Sequence, residues 1–462
     1  MKETQNFTEG HIFAPLIRFA LPVLLALFLQ TMYGAVDLGV VGRFGGDLAE
    51  VYVSAVSTGS QIMQSVTIVI TGLAMGLTVT VGRKIGAGKK QEAGRIIGCG
   101  IWLFGVIALM LTAVMVFSAP MIAQVMRAPE EAYGQTVTYI TICSAGAVFI
   151  VAYNLVGSIF RGIGDSQMPL VTVLIACVLN IACDLLLVAV FHMGAAGAAI
   201  ATVFAQAVSV LLSLLIIRRR TLPFTFSVKD VRPGSGYIKR ILQLGIPIAL
   251  QDLLVSISFL VIIAIVNNLG LTESAGVGVA EKLCGFLMLV PSAYMQSMSA
   301  FVAQNIGAKK GERAKKALLC GIVSSLAAGL ITGYFTFFHG NLLAGIFAKD
   351  LTVILAAADY LKAYAIDCVL TSFLFCFIGY FNGCGNTTFV MLQGIIGAFG
   401  VRLPVSWLMS KKIPVSLFHI GLATPASTTV QIIMCGMYFL IASRRQSQSV
   451  EQQSESNHTD AA

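Results

Sequence analysis

Twelve stretches of about twenty apolar residues follow one another along this chain, near 14–40, 50–79, 96–119, 136–160, 168–191, 196–217, 240–267, 274–302, 317–339, 354–381, 388–410 and 415–443. Each is long enough to cross the hydrocarbon core of a bilayer, about 30 Å, as a helix. Inside lipid no water is available to bond the backbone, so every N–H and C=O must be satisfied within the fold, and continuous apolar runs of this length do so as helices. The expectation is an all-α membrane protein of twelve transmembrane helices. Composition agrees: only 11% of the 462 residues are charged, against about 25% in soluble domains. The opening MKETQNFTEGHIFAP has no short apolar core ending in a small-residue cleavage site, so no cleaved signal peptide is expected and the first span serves as its own signal.

A formal net charge of +9 would suggest nucleic acid in a soluble protein. Here the basic residues gather in alternate loops: Arg83, Lys84, Lys89, Lys90 and Arg95 in one, Arg218 to Arg240 in a second, Lys309 to Lys316 in a third. The opposite side holds only Arg43, Arg127, Lys349, Lys411 and Lys412. Such a bias places the basic loops and both termini in the cytoplasm, so membrane lipids and not nucleic acid are the expected partners. Lys411 and Lys412 are local exceptions. The ten cysteines show no CxxC pair and no Cys/His spacing suited to zinc, and read as small core residues. Neither a cofactor nor an enzymatic centre is expected.

The chain repeats itself. FALPVLLALFLQ…GRFG recurs as LGIPIALQDLLV…NNLG, aligning Pro22 with Pro247 at an offset of 225. GRKIGAGKKQEAGR matches AQNIGAKKGERAKK, and FRGIGDS matches FNGCGNT, both at an offset of 221. Each half holds six spans, an even number, so both halves enter the membrane in the same direction and are related by a pseudo-two-fold along the membrane normal. Transporters built this way hold substrate between their halves and expose it to each side in turn. The expected organisation is a six-helix lobe over 1–217, a basic cytoplasmic linker over 218–239 interrupted by proline and glycine, a second six-helix lobe over 240–443, and a polar, disordered cytoplasmic tail over 444–462. The glycine-rich loops are not phosphate cradles of the nucleotide-binding kind: GRKIGAGKK lacks the GxxxxGK[ST] spacing, and RGIGDSQ stops short of GxGxxG. They read as tight turns held near anionic headgroups by lysine and arginine.

Against this apolar background one stretch stands out, LFLQTMYGAVDLGVV over residues 27–41, with Asp37 in its second half. A charge at the bilayer centre costs at least about 2.5–3.5 kcal/mol, so an intramembrane carboxylate is paired, protonated or engaged with an ion. The fifth span supplies partners: in VLNIACDLLLV, Asn180 and Asp184 are four apart and share a helix face. Counting from the outer loops, Asp37, Asp184 and Thr202 all fall roughly 9–12 Å below the outer surface at about 1.5 Å per residue. Four oxygen-bearing side chains at one level, two of them carboxylates, suit a hard monovalent cation or a shared proton. Interhelical bonding alone is the competing explanation. In the second half, Glu281 with Lys282 and Asp367 with Arg402 are expected to form neutralising pairs; whether Asp367 or Glu281 also contributes to coupling is left open.

The ordered set Pro22, Gln30, Tyr33 and Asp37, the loops GRKIGAGKKQEAGR and QNIGAKKGERAKK, RGIGDS and LNIACD together resemble the multidrug and toxic compound extrusion family over nearly the whole chain. The resemblance implies a cation-driven antiporter of the plasma membrane that exports amphipathic, often cationic drugs. It implies a cation site at Asp37, Asn180, Asp184 and Thr202, which would be a metal site only if Na⁺ rather than H⁺ is the coupling ion, and a first span that bends at Pro22. Gln30, Tyr33, Gln61 and Asn154 are the expected substrate contacts, and the chain is expected to act as a monomer. Some members place a carboxylate in the seventh span where this chain has Val255, or an acidic residue in the tenth near what is Thr371 here, which puts a cation site of that second type in doubt. The alternatives are a flippase for lipid-linked precursors, which would need a cationic groove for pyrophosphate, and a channel or receptor, against which the duplicated halves argue.

Overall fold

A computed structural model describes residues 7–220 and 222–459, with side chains through Arg444. The described residues form helices and no strands. In chain order they are α1 (Phe13–Phe44), α2 (Ala49–Gly86), α3 (Lys90–Val125), α4 (Glu130–Ala145), α5 (Ala147–Ile163), α6 (Gln167–Asp184), α7 (Gly194–Arg218), α8 (Ser235–Asn267), α9 (Leu271–Leu287), α10 (Leu289–Gly307), α11 (Gly311–Phe338), α12 (Gly340–Ala344), α13 (Leu351–Gly383), α14 (Thr387–Ile395), α15 (Leu403–Ser410), α16 (Leu417–Gly421) and α17 (Ala423–Thr459). Eleven segments are long and apolar enough to cross a membrane on their own, and α4 with α5, bent by 51° at Gly146, makes a twelfth. Twelve crossings match the apolar pattern of the sequence. α17 carries helical backbone through most of the segment expected to be a disordered tail; its QSQSVEQQSESNHT stretch contains no glycine or proline to stop a helix. Residues 1–6, position 221 of the expected linker and residues 460–462 of the expected tail lie outside the described residues.

Lipid tails are as apolar as leucine, so helices in a membrane associate through close packing and hydrogen bonds rather than through a hydrophobic drive, and small residues dominate their contacts. α2 shows both devices. Thr78 Oγ1 donates to the Ser158 carbonyl of α5 at 2.9 Å, and a Cβ on Gly162 would lie 2.9 Å from the Thr78 carbonyl oxygen.

Two compact units can be drawn. One comprises Met1–Leu253, Met288–Ser324 and Ile378–Met391; the other Leu254–Leu287, Ser325–Phe377 and Leu392–Ala462. The first unit therefore contains pieces of both sequence repeats, and the duplication is visible inside it. Arg83 donates to the Gly383 carbonyl through Nε at 3.4 Å and Nη2 at 3.2 Å, while Gln304, the repeat equivalent of Arg83, donates to the carbonyl of Gly162, the equivalent of Gly383, at 2.9 Å. The turns correspond as well. Gly164 and Gly385 both take positive φ, and the left-handed position of Gly88 is held in the second copy by Lys309 at φ 59°.

Candidate cation site

In α6 the buried residues Thr172, Ala176, Asn180 and Asp184 recur every four positions, so the two polar groups extend the stripe that already faces protein. Immediately after Asp184 the helix widens into a π-helical stretch, Leu185–Val190, which packs against α1 and α7. Such wide turns often occur at functional sites, because one extra residue per turn re-aims the side chains around it. Asp184 is fully buried, Asn180 and Asp37 nearly so, at 1% and 4% exposed.

The structure brings the four expected cation-site residues together in the first unit. Thr202 Oγ1 donates to Asp37 Oδ2 at 3.2 Å, Asn180 Nδ2 approaches Thr202 Oγ1 at 3.4 Å, and the Asp37 and Asp184 carboxyl groups lie near enough to interact. Among the described residues, Asp37 Oδ1, Asn180 Oδ1 and both Asp184 oxygens receive no hydrogen bond. Buried polar atoms are almost always satisfied, and four orphaned acceptors at one point are a demand for something positive. A proton held between the carboxyl groups would meet part of it; a small cation coordinated by hard oxygens would meet more. Among the described residues no third His, Cys, Asp or Glu joins them, a donor set whose charge suits a monovalent ion.

Of the expected substrate contacts, two adjoin this site. Tyr33, one turn before Asp37 on α1, lies close to Gln30 and to Gln206 of α7. Gln206 lies one turn beyond Thr202, so the hydrogen bond of Thr202 to Asp37 joins α1 to α7 and Tyr33 faces Gln206 one turn away. The sequence reading missed Gln206, although its spacing of four from Thr202 was a usable signal. It also missed Tyr139 of the bent α4–α5 span, whose buried ring lies near enough to feel both carboxylates; no periodicity pointed to it. Asn154 instead accepts a bond from Thr71 of α2 at 3.2 Å, and Gln61 is exposed. No hydrogen bond among the described residues ties either to Asp37. α1 runs as one helix through Pro22.

The second unit holds Glu281, Asp367 and Arg402, arranged differently from the expected pairs. Neither Asp367 with Arg402 nor Glu281 with Lys282 comes within ion-pair distance among the described residues. Glu281 accepts a bond from Tyr360 Oη at 3.3 Å, and Asp367 interacts with Thr428. Arg402 donates to Ser258 Oγ at 3.1 Å and stacks 4.3 Å from the centre of the Phe259 ring, acting on both carboxylates from a distance. Hydroxyl and aromatic neighbours are nearer to each buried charge than the opposite charge is, a choice that spacing along the chain does not show.

The sequence model described as MatE matches residues 22–186 and 247–408, one match for each half of the repeat. Over 406 residues the chain is 25% identical to the probable multidrug resistance protein YpnP of Bacillus subtilis, covering 88% of this chain and 90% of that one. It is also 25% identical to the multidrug export protein MepA of Staphylococcus saprophyticus over 89% and 90% of the two chains. A solved outward-facing multidrug resistance MATE transporter of the MOP superfamily superposes with a TM-score of 0.88 at 20% identity, over 98% of this chain and all of that one, which shows a common fold.

Proposed function

This chain belongs to the MatE family of transporters, and from that premise we propose that it is an antiporter of the plasma membrane, driven by an inward gradient of H⁺ or Na⁺, that exports amphipathic and often cationic drugs. The observation that carries the reading is the convergence of Asp37, Asn180, Asp184 and Thr202 around four acceptor oxygens without donors. Asp37 and Asp184 hold the cation or proton; Asn180 and Thr202 orient the carboxylates and complete the oxygen set. Gln30 and Tyr33 contact the drug two turns and one turn away on the same helix, so occupancy of the ion site and of the drug site is felt by one element. Gln61 and Asn154 remain candidates for separate contacts. Drug and ion must prefer opposite states of the protein, because a ligand indifferent to the two states drives nothing. Alternating access, with bending at Pro22, supplies those states. Both termini lie in the cytoplasm, and the working unit is a monomer.

The names carried by the relatives favour drug export over the flipping of lipid-linked precursors. Ethidium efflux from proteoliposomes tests the reading. One arm imposes a pH gradient without sodium, the other a sodium gradient without a pH difference. One gradient should drive efflux, and Asp37→Asn should abolish that drive at matched protein content. Efflux that ignores both gradients would remove the antiport mechanism.

A further inference from the structure

On the cytoplasmic side of the first unit, Arg83 near the end of α2 and Arg240 in the second turn of α8 aim their guanidinium groups at one place. A Cβ on Gly385 would lie 2.7 Å from Arg83 Nη2 and 3.3 Å from Arg240 Nη2. Among the described residues neither arginine has a carboxylate within ion-pair distance, and the bonds that Arg83 makes go to a neutral carbonyl, that of Gly383. Lys84 and Lys89 stand beside them and share a single carboxylate, Glu92. All four cations line one cavity of about 790 Å³, whose far wall is the start of α8, from Gly234 to Tyr237. Four cations against one carboxylate repel one another, and the positive end of the helix adds to the same field. An anion is the missing charge.

The identity of that anion follows from the next cavity. A groove of about 830 Å³ shares Ser235 with the basic pocket and runs along Trp102 and the face of α8 formed by Ile238, Leu242 and Ile246. These three recur every four residues, and Ile246 is 51% exposed, so the groove is apolar and open at the side. Tryptophan favours the headgroup level of a bilayer, which places the groove in the cytoplasmic leaflet. Free phosphate would satisfy the cations and leave the groove bare. We propose that the two cavities together hold one anionic phospholipid of the inner leaflet, its phosphodiester between Arg83 and Arg240 and an acyl chain along Trp102 and Ile246.

Trp102 and Trp407 are the two tryptophans of the sequence, so in Trp407→Phe protein all the tryptophan fluorescence comes from Trp102. In phosphatidylcholine vesicles, brominated phosphatidylglycerol should quench this fluorescence at a several-fold lower mole fraction than brominated phosphatidylcholine. A basic residue at a membrane surface contributes about 1 kcal/mol to holding anionic lipid, so Arg240→Gln should raise the mole fraction needed about fivefold, and Arg240→Lys should restore most of the difference. Arg240 is exposed, and its replacement should leave the fold intact. Equal quenching by the two lipids, or no change in Arg240→Gln, would overturn the proposal. Recovery of fluorescence on adding millimolar inorganic phosphate would assign the cations to a soluble anion and overturn the lipid assignment.

Discussion

Gly86 and Gly307 make the same contact in opposite directions: a Cβ on Gly86 would lie 1.9 Å from the Gln304 carbonyl oxygen, and one on Gly307 would lie 2.0 Å from that of Arg83. The two glycines are separated by the repeat offset of 221, and so are Arg83 and Gln304. α2 and α10 therefore cross at their C-terminal ends about a local two-fold, and they can approach so closely because neither crossing residue has a side chain. Backbone, not a flexible side-chain tip, occupies the space an added methyl would need. Gly86→Ala and Gly307→Ala should each destabilise the protein by about 1–3 kcal/mol, the range for overpacking a tight contact. Thermal midpoints in detergent should fall by similar amounts for the two variants. A loss in one and none in the other would show that the crossing is not symmetric in energy.

The carboxylates of the two repeats have different surroundings. Asp37 and Asp184 lie near enough to interact with each other, whereas Asp367 interacts with Thr428 and feels Arg402 from a distance. Under the proposed antiport, Asp184→Asn should abolish ion-driven efflux as Asp37→Asn does. Asp367→Asn should lower the maximum rate but leave the dependence on the driving ion unchanged. Efflux from proteoliposomes as a function of the ion gradient measures both. Uncoupling by Asp367→Asn alone would move the site into the second repeat.

Lys309 adopts the left-handed conformation that Gly88 adopts in the first copy. A side chain there costs about 1–2 kcal/mol, and glycine does not incur it. Lys309→Gly should therefore raise the thermal midpoint, by about 1 kcal/mol in stability, without altering transport. Gly88→Ala should do the reverse.

Ahead of α1, the Phe7 ring is fully buried between Phe19, at 5.1 Å, and Phe301, at 4.9 Å. Arg313 fixes the same segment by donating to the carbonyls of Phe7, Glu9, Gly10 and His11. Truncating a buried phenylalanine costs about 3–5 kcal/mol, and at a chain end that loss appears as local opening. In Phe7→Ala the amides of residues 8–12 should exchange with deuterium at least tenfold faster, while those in the middle of α1 keep their protection. Unchanged exchange would mean that the Arg313 bonds hold the segment without the ring.

Much of this protein follows from its sequence alone, because a bilayer leaves few options: apolar runs of the right length become helices, and an exact offset between loops means a duplicated architecture. The Asp37, Asn180, Asp184 and Thr202 set was legible for the same reason, since polar groups are rare in lipid and their depth can be counted along a helix. Tertiary structure decided what depth cannot. A helix has many faces at one level, and only packing turned Asp37 toward Thr202 and Tyr33 toward Gln206, left Gln61 exposed, and gave Asn154 to Thr71. It also kept Arg402 out of ion-pair contact with Asp367, placing Ser258 and Phe259 against the guanidinium instead, and it set Arg83 beside Arg240. Those two residues lie far apart in sequence, and the contact depends on where three separate segments meet; charge spacing along the chain does not encode it.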